Sequence, residues 1–177
     1  MSVCSIRAIL DVASRSLNDD GCQEVAVVLG ASAGAPPRQI YLHANAVRCD
    51  GAEYLAAGLA QLASRGGTHK LTRLCLHENA IGDRGAHALA EAVRGAGLVS
   101  LVRLDLSSNA IGDIGAHALA DALLRSSPPL LALEELSLAA NRIRVIGCAA
   151  LLTAADQSVV TCPRRGGTGS WPEPPNG

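Results

Sequence analysis

The stretch Leu101-Val-Arg-Leu-Asp-Leu-Ser-Ser-Asn109-Ala-Ile-Gly-Asp113 decides the fold of this chain. Its leucines and asparagine follow the order L-x-x-L-x-L-x-x-N-x-I, and the same order returns at 71–81 and at 133–143. A weaker copy lies upstream and keeps four of the positions: Ile40, Leu42, Asn45 and Val47. Pro37 replaces its first leucine. Self-similarity of this kind is the sequence signature of a repeat architecture.

The asparagines at 45, 79, 109 and 141 follow one another at spacings of 34, 30 and 32 residues. The differences in length fall in segments rich in Gly, Ser and Pro, at 64–68, 94–97 and 125–129, which predict loops that absorb insertions. Each copy then predicts a strand, a turn and a helix. The fold class expected is α/β, a leucine-rich repeat solenoid that forms a short horseshoe arc, with parallel strands on the concave face and helices on the convex face.

Within each copy, the alternation of the strand sends Leu74 and Leu76 toward the core. The asparagine that follows is expected to satisfy backbone groups of the turn, because its amide both donates and accepts hydrogen bonds. Asp83 and Asp113 stand where the N-caps of the following helices are expected.

Three regions follow from these patterns. Residues 1–36 predict an N-terminal cap, with a helix over Ser5–Leu17 and a buried or edge strand over Val25–Leu29. Residues 37–155 hold about four repeats, and residues 156–177 form a Pro/Gly-rich tail that is expected to be disordered. Since no C-terminal cap is apparent, the last repeat is expected to expose an apolar edge. Two explanations follow from this expectation: the chain self-associates through that edge, or it is a fragment of a longer repeat protein.

The composition excludes several classes of function. The chain has 177 residues, 15 Lys and Arg against 16 Asp and Glu, and no Phe, which leaves neither a basic patch nor a stacking platform for nucleic acid or an anionic membrane. Its 6 cysteines form no C-x-x-C pair and are predicted to be reduced. With no secretory signal or membrane span apparent, a cytoplasmic protein is expected, with the nucleus as the alternative.

The longer pattern L-x-x-L-x-L-x-x-N-x-I-G-D-x-G-A-x-A-L-A-x-A-L runs from Leu101 to Leu123 and nearly returns from Leu71 to Val93. It resembles the ribonuclease-inhibitor-like subfamily of leucine-rich repeats, which includes ribonuclease inhibitor, the repeat regions of NOD-like receptors and the Ran GTPase-activating protein. The resemblance covers residues 37–155 and implies binding of another protein. The chain differs in having few repeats and no G-x-x-x-x-G-K-[ST] nucleotide-binding loop.

The concave face can be assembled in columns, because in-register strands place equivalent residues about 4.8 Å apart. The side chains expected there form the predicted partner-binding surface: Gln39, Tyr41, His43, Arg73, Cys75, His77, Arg103, Asp105, Ser107, Glu135, Ser137 and Ala139. The surface is polar and mixed in charge. Tyr41 is its best candidate anchor, since rigid amphipathic rings often dominate binding energy at protein interfaces.

Residue types that hold zinc occur in this surface, at His43, His77, Cys75 and Asp105. Parallel strand positions do not converge as tetrahedral ligation requires, so neither a metal nor a cofactor is expected. His87 and His117 recur at one helical position, each four residues before an acid, which is typical of a solvated convex face.

The chain contains no H-E-x-x-H and no G-x-S-x-G, and no catalytic residue is predicted. The function expected is therefore a non-catalytic module for protein–protein interaction. The alternative, which comes from the resemblance, is a regulator that stimulates a small GTPase. Arg48, Arg84 and Arg142 in the strand-to-helix turns are the residues that could position such a partner.

Overall fold

Short strands and longer helices alternate along the chain in a computed structural model. It describes residues 9–31, 36–64, 70–95, 98, 100–125, 132–154 and 160–161. The elements are β1 (Ile9–Asp11), α1 (Asp19–Ala31), β2 (Gln39–Tyr41), α2 (Cys49–Ser64), β3 (Arg73–Cys75), α3 (Asp83–Gly95), β4 (Arg103–Asp105), α4 (Asp113–Arg125), β5 (Glu135–Ser137), α5 (Val145–Ala154) and β6 (Val160–Thr161). Of the loops predicted at 64–68, 94–97 and 125–129, the first residues are wrong, because Ser64, Arg94, Gly95 and Arg125 are the last residues of α2, α3 and α4. The remainder, at 65–68, 96–97 and 126–129, lies outside the described residues.

The strands form one parallel sheet whose order follows the chain, from β1 to β6. Each helix packs on the helices of the neighbouring repeats. Equivalent leucines align across the sheet, so that Leu74 is paired with Leu104, and Leu104 with Leu136. This arrangement confirms the predicted α/β leucine-rich repeat solenoid.

The core lies between the sheet and the layer of helices. The motif leucines are buried there, as are small residues on the inner face of each helix, including Ala86 and Ala90. Gly115 shows how closely adjacent repeats approach, because a Cβ at this position would lie 2.8 Å from Oδ1 of Asp83 and from Cγ2 of Ile111. The sequence therefore needs small residues at the helix starts to bring one repeat against the next.

The region before residue 37 differs from the prediction. Ile9–Asp11 is a strand rather than part of a helix, and Val25–Leu29 lies within α1 rather than in a strand; residues 5–8 lie outside the described residues. The helical assignment follows from burial at Val25, Ala26 and Leu29, the spacing of one helix face. The segment thus repeats the strand, turn and helix order, while its role as a cap stays a prediction.

The C-terminal region also differs in one respect. Val160–Thr161 pairs with β5, so the prediction of disorder over 156–177 is wrong for these two residues. Residues 155–159 and 162–177 lie outside the described residues. Helix α5 exposes large aliphatic side chains at Val145, Ile146 and Leu152. Self-association at this end stays a prediction.

The asparagine of each turn binds the backbone of two repeats. Nδ2 of Asn79 donates to the carbonyl oxygens of Leu76 at 3.0 Å and His77 at 3.2 Å in its own repeat, and to that of Leu42 at 2.9 Å in the preceding one. Its Oδ1 accepts a hydrogen bond from the Val47 amide at 3.1 Å. Asn109 and Asn141 make the same set of contacts. Asn45 makes it too, and its Oδ1 also accepts a hydrogen bond from the Arg15 amide at 3.1 Å. The predicted structural role of the asparagines is confirmed.

The aspartates at the helix starts act differently from the prediction. Oδ1 of Asp83 accepts hydrogen bonds from the amides of Gly112 at 2.7 Å and Gly115 at 2.8 Å, which belong to the start of the next helix, α4. Asp113 does the same for α5, and Asp19 for α2. Their predicted role as caps of their own helices is therefore wrong. Each carboxylate instead satisfies free amides at the positive end of the neighbouring helix and joins two repeats.

We expect Asp83→Ala to lower the free energy of unfolding by about 1 to 2 kcal/mol, because it leaves two amides of α4 without their acceptor. Urea denaturation followed by circular dichroism measures this difference. Asp121→Ala is the matched control, since its exposed carboxylate forms an ion pair with Arg125 on the same helix rather than a contact between repeats. An equally small loss in both variants would contradict the inter-repeat role of Asp83.

Candidate partner-binding surface

The strands bring the predicted surface residues together on one face. Register pairs Gln39 with Arg73, Arg73 with Arg103, and Arg103 with Glu135 in one column. The next column pairs Tyr41 with Cys75, Cys75 with Asp105, and Asp105 with Ser137. Backbone hydrogen bonds after the strands continue this register through His43, His77, Ser107 and Ala139. The surface formed by these residues is called the concave face below.

Exposure differs between members of the concave face. Tyr41 is 6% exposed, Asp105 2% and Ser137 7%, while the other predicted residues, Ala139 included, are half-buried. The Tyr41 hydroxyl donates a hydrogen bond to Oε1 of Gln39 at 2.8 Å. The ring is therefore covered by its neighbours rather than presented to solvent, and its role as an anchor stays a prediction.

Four polar side chains form a cluster at the ends of β2, β3 and β4 that lead into the asparagine turns: His43, His77, Asp105 and Ser107. Oδ1 of Asp105 accepts hydrogen bonds from the Ser107 hydroxyl at 2.7 Å and the Ser107 amide at 3.0 Å. Its Oδ2 lies 3.3 Å from Nδ1 of His77, but the geometry of this contact is not that of a hydrogen bond. The ring of His77 stacks on that of His43, with centroids 4.4 Å apart and planes 9° apart. Sequence reasoning placed these residues on one face but missed their contacts.

Burial and neighbouring groups set the charges of this cluster. Burial raises the pKa of Asp105, but the contacts from His77 and Ser107 outweigh it, so the net pKa is below its usual value. The pKa of His43 is lowered by burial first and then by the nearby His77. Asp105 is consequently a carboxylate at neutral pH, and the structure favours a neutral His43.

The lowered pKa of His43 predicts a pH dependence of stability. The unfolded chain takes up a proton near pH 6.5, whereas the folded protein takes it up only at lower pH. The contribution of His43 to stability is thus complete above about pH 6.5 and is lost as pH falls through the folded pKa. We expect the free energy of unfolding to fall between about pH 7.5 and about pH 5.5 less steeply in His43→Gln than in the wild type. Urea denaturation measures both slopes.

His87→Gln is the control for this titration, because His87 lies exposed on α3 and its removal leaves the concave face intact. The control should retain the wild-type pH dependence. If His43→Gln and the wild type lose stability in parallel over this range, the assigned burial of a neutral His43 is wrong.

Cys75 is the last residue of β3, between Arg73 in the strand and His77 after it. Burial, and then the charge of Asp105, raises the pKa of its thiol to about 12. Cys75 is accordingly a protonated thiol at neutral pH and a poor nucleophile or metal ligand. Among the described residues, no group of three or more His, Cys, Asp or Glu is placed to hold a metal ion.

The candidate arginines of the turns have different surroundings. Arg84 is held by Asp50 and by Glu53, with Nε 2.6 Å from Oε1 of Glu53. Arg48 and Arg142 are exposed. His87 and His117 are exposed on the helices, while the nearby acids Glu91 and Asp121 pair with arginines of their own helices. The stimulation of a small GTPase stays a prediction.

The comparisons with known proteins agree with the geometry. The family model described as a leucine rich repeat matches residues 68–90 and 98–120, which contain β3, β4 and most of α3 and α4. No curated protein matches the chain significantly. The match and the alternating strands and helices support a leucine-rich repeat protein, a class that generally mediates protein–protein interaction. The ribonuclease-inhibitor-like subfamily stays a prediction.

No helix within the described ranges is long and apolar enough to cross a membrane.

Proposed function

We propose that this chain is a non-catalytic module that binds a partner protein through its concave face. The observation that carries the proposal is the strict register of four adjacent strands, which presents polar, half-buried side chains in ordered columns. Side chains fixed on a packed scaffold lose little conformational entropy on binding. The mixture of arginines, histidines and carboxylates suits a polar protein surface better than an apolar small molecule.

The cysteines support a reducing compartment, and we place the protein in the cytoplasm, with the nucleus as the alternative. The four cysteines in the described part of the chain are free: Cys22, Cys49, Cys75 and Cys148. Proteins that leave thiols unpaired in this way are typical of reducing compartments.

Affinity capture from a cell extract tests the proposed surface. The variant carries Arg73→Ala, Arg103→Ala and Glu135→Ala, three half-buried positions whose loss spares the core. Tyr41 is left unchanged because its ring is buried. We expect the wild type to retain a protein that this variant loses by at least about tenfold, equivalent to about 1.4 kcal/mol of binding free energy.

A convex-face variant with His87→Ala, Arg94→Ala and His117→Ala is the matched control, since these residues are exposed on α3 and α4. It should capture the same protein as the wild type. Circular dichroism of both variants checks that each is folded. Loss of capture in the convex variant, with capture retained in the concave one, would contradict the proposal.

A further inference from the structure

Helix α5 differs from the other helices in its composition. It carries no charged residue, whereas each helix from α1 to α4 carries at least two. A helix that is apolar on all sides is normally buried on all sides. Helix α4 packs against one side of α5, yet Val145 is 83% exposed and Leu152 is 46% exposed. Part of α5 therefore lacks the cover that its composition predicts.

The uncovered side of α5 is the side that, in the other helices, faces the next repeat. In α4 this side begins with Asp113 and Ala116. A Cβ at Gly147 of α5 would lie 2.7 Å from Oδ1 of Asp113 and 3.0 Å from Cβ of Ala116. Ala120 continues the same side of α4 and is buried. A carboxylate and two small alanines thus allow one helix to approach the next.

Helix α5 has other residues at these three positions, namely Val145, Cys148 and Leu152, which are called the terminal face below. Their spacing of three and then four residues places them on one side of the helix. Val145 offers no acceptor to the amides of a following helix, and Leu152 fills space that an alanine would leave open. The terminal face therefore suits an apolar occupant and not a further helix at the spacing of the others.

The register of the sheet indicates which residue of the chain reaches the terminal face. In each repeat a glycine follows the central strand residue by 11 positions, as from Leu104 to Gly115; the five glycines are Gly21, Gly51, Gly85, Gly115 and Gly147. From β2 to β5 this glycine lies against the preceding helix. Val160 of β6 pairs with Leu136, and the residue 11 positions after Val160 is Trp171, the only tryptophan of the chain. Trp171 itself lies outside the described residues.

We propose that the indole of Trp171 packs on the terminal face and closes this end of the solenoid. The residues change together on both sides of the contact, since the glycine becomes tryptophan where aspartate and alanine become larger apolar residues. Pro172, Pro174 and Pro175 disfavour a helix after Trp171, so the ring is carried by an extended segment. The proposal does not depend on the function of the concave face, and it replaces the disorder expected of the tail at this residue.

The size of the terminal face favours this occupant over a second copy of the chain. A stable interface between two proteins takes about 800 Å² and about 20 to 30 residues from each partner. The terminal face consists of three side chains, and Cys148 among them is already half-buried. Ile146 lies on another side of α5, at the position of the exposed Ile114 in α4. A single tryptophan side chain buries about 150 to 250 Å², which matches a face of this extent.

Fluorescence tests the proposal directly, because its tryptophan signal comes from Trp171 alone. In the folded protein we expect emission at a shorter wavelength, and weaker quenching by acrylamide, than in the urea-unfolded chain. Nuclear Overhauser contacts between the indole protons and the methyl groups of Val145 and Leu152 should accompany this shielding. Emission and quenching equal to those of the unfolded chain would overturn the proposal.

Two variants of α5 test the contact without disturbing the fold. Val145→Asp and Leu152→Ala introduce the residues that α4 has at the same positions, so the repeat architecture accommodates both. Each should move the emission of Trp171 to a longer wavelength and increase its quenching. Val27→Asp is the matched control, since Val27 is 62% exposed on α1 at the other end of the sheet, and it should leave the emission unchanged. No change in either α5 variant, or an equal change in Val27→Asp, would contradict the contact.

Sedimentation at several protein concentrations separates an intramolecular contact from self-association. We expect Trp171 to be shielded in the monomer, with the same emission and quenching at every concentration. If the shielding appears only as the protein associates, a second copy covers the terminal face and the proposal is wrong.

Discussion

Replacing Leu104 by alanine is expected to lower the free energy of unfolding by about 2 to 5 kcal/mol, the range for loss of a buried leucine side chain. Leu104 is 3% exposed and is paired with Leu74 and Leu136 at the centre of the sheet. Its removal leaves a cavity between the sheet and the helices at a point where repeats on both sides contribute core residues. Chemical denaturation followed by circular dichroism measures the loss.

Arg103→Ala is the internal control for this prediction, because Arg103 precedes Leu104 and faces the opposite side of the strand. Its contact with Glu135 is long and partly exposed, so the change should cost no more than about 1 kcal/mol. Similar small losses at the two positions would contradict the alternation on which the concave face depends.

Asn109→Ala is expected to lower the free energy of unfolding by about 2 to 4 kcal/mol, because the four hydrogen bonds of its side chain are lost at once and the Ile81 amide loses its acceptor. Nδ2 of Asn109 donates to the carbonyl oxygens of Leu76 at 2.9 Å, Leu106 at 3.1 Å and Ser107 at 3.1 Å. Its Oδ1 accepts the Ile81 amide at 3.0 Å. Alanine supplies none of these groups. Thermal and urea denaturation both report the loss.

Two further variants show whether the stabilising effect comes from the N–H donors of the asparagine or from any side chain at this position of the repeat. Asn109→Asp keeps an acceptor for the Ile81 amide but loses both N–H donors, so it should be nearly as destabilising as alanine. Arg15 occupies the equivalent position of the repeat that begins at β1, where its side chain is exposed. Arg15→Ala should therefore change stability by no more than about 0.5 kcal/mol. A larger loss at Arg15 than at Asn109 would overturn the account of the asparagine turns.

The repeats from β2 to β5 could be predicted because their own residues determine the strand and the turn. Leu104, Leu106 and Asn109 occupy the same places in the motif as their equivalents in the other copies, so the repeated pattern alone assigns each of them its role. The segment containing β1 and α1 escaped prediction because Arg15 replaces the asparagine. One sequence signal could have identified this segment as a further repeat: Asp19 and Gly21 have the same spacing as Asp83 and Gly85 at the start of α3.

The bridging aspartates could not be predicted from one repeat alone. Asp83 has the residue type and position of an N-cap, but its acceptor oxygen meets amides of α4 because the closely packed helices bring that helix start within reach. The choice between the two helices depends on the separation of adjacent repeats, which Gly115 permits. This is a property of packing and not of local sequence.

The columns of the concave face could be predicted, because repetition of the motif gives all the strands the same register. The burial of Tyr41 and Asp105 could not, because it depends on how neighbouring side chains fold over them. Tyr41 turns to Gln39, and Asp105 is enclosed by Ser107 and His77. The stacking of His77 on His43 likewise depends on side-chain torsions that strand alternation does not specify.

Site-specific photo-crosslinking tests the central claim most directly. A photoreactive amino acid is placed at His43 or Glu135 on the concave face, or at His87 or His117 on the convex face, and each protein is irradiated in a cell extract. The account predicts a protein adduct of one mass from both concave positions and none of that mass from the convex positions. The same adduct from the convex positions, with none from the concave ones, would contradict it.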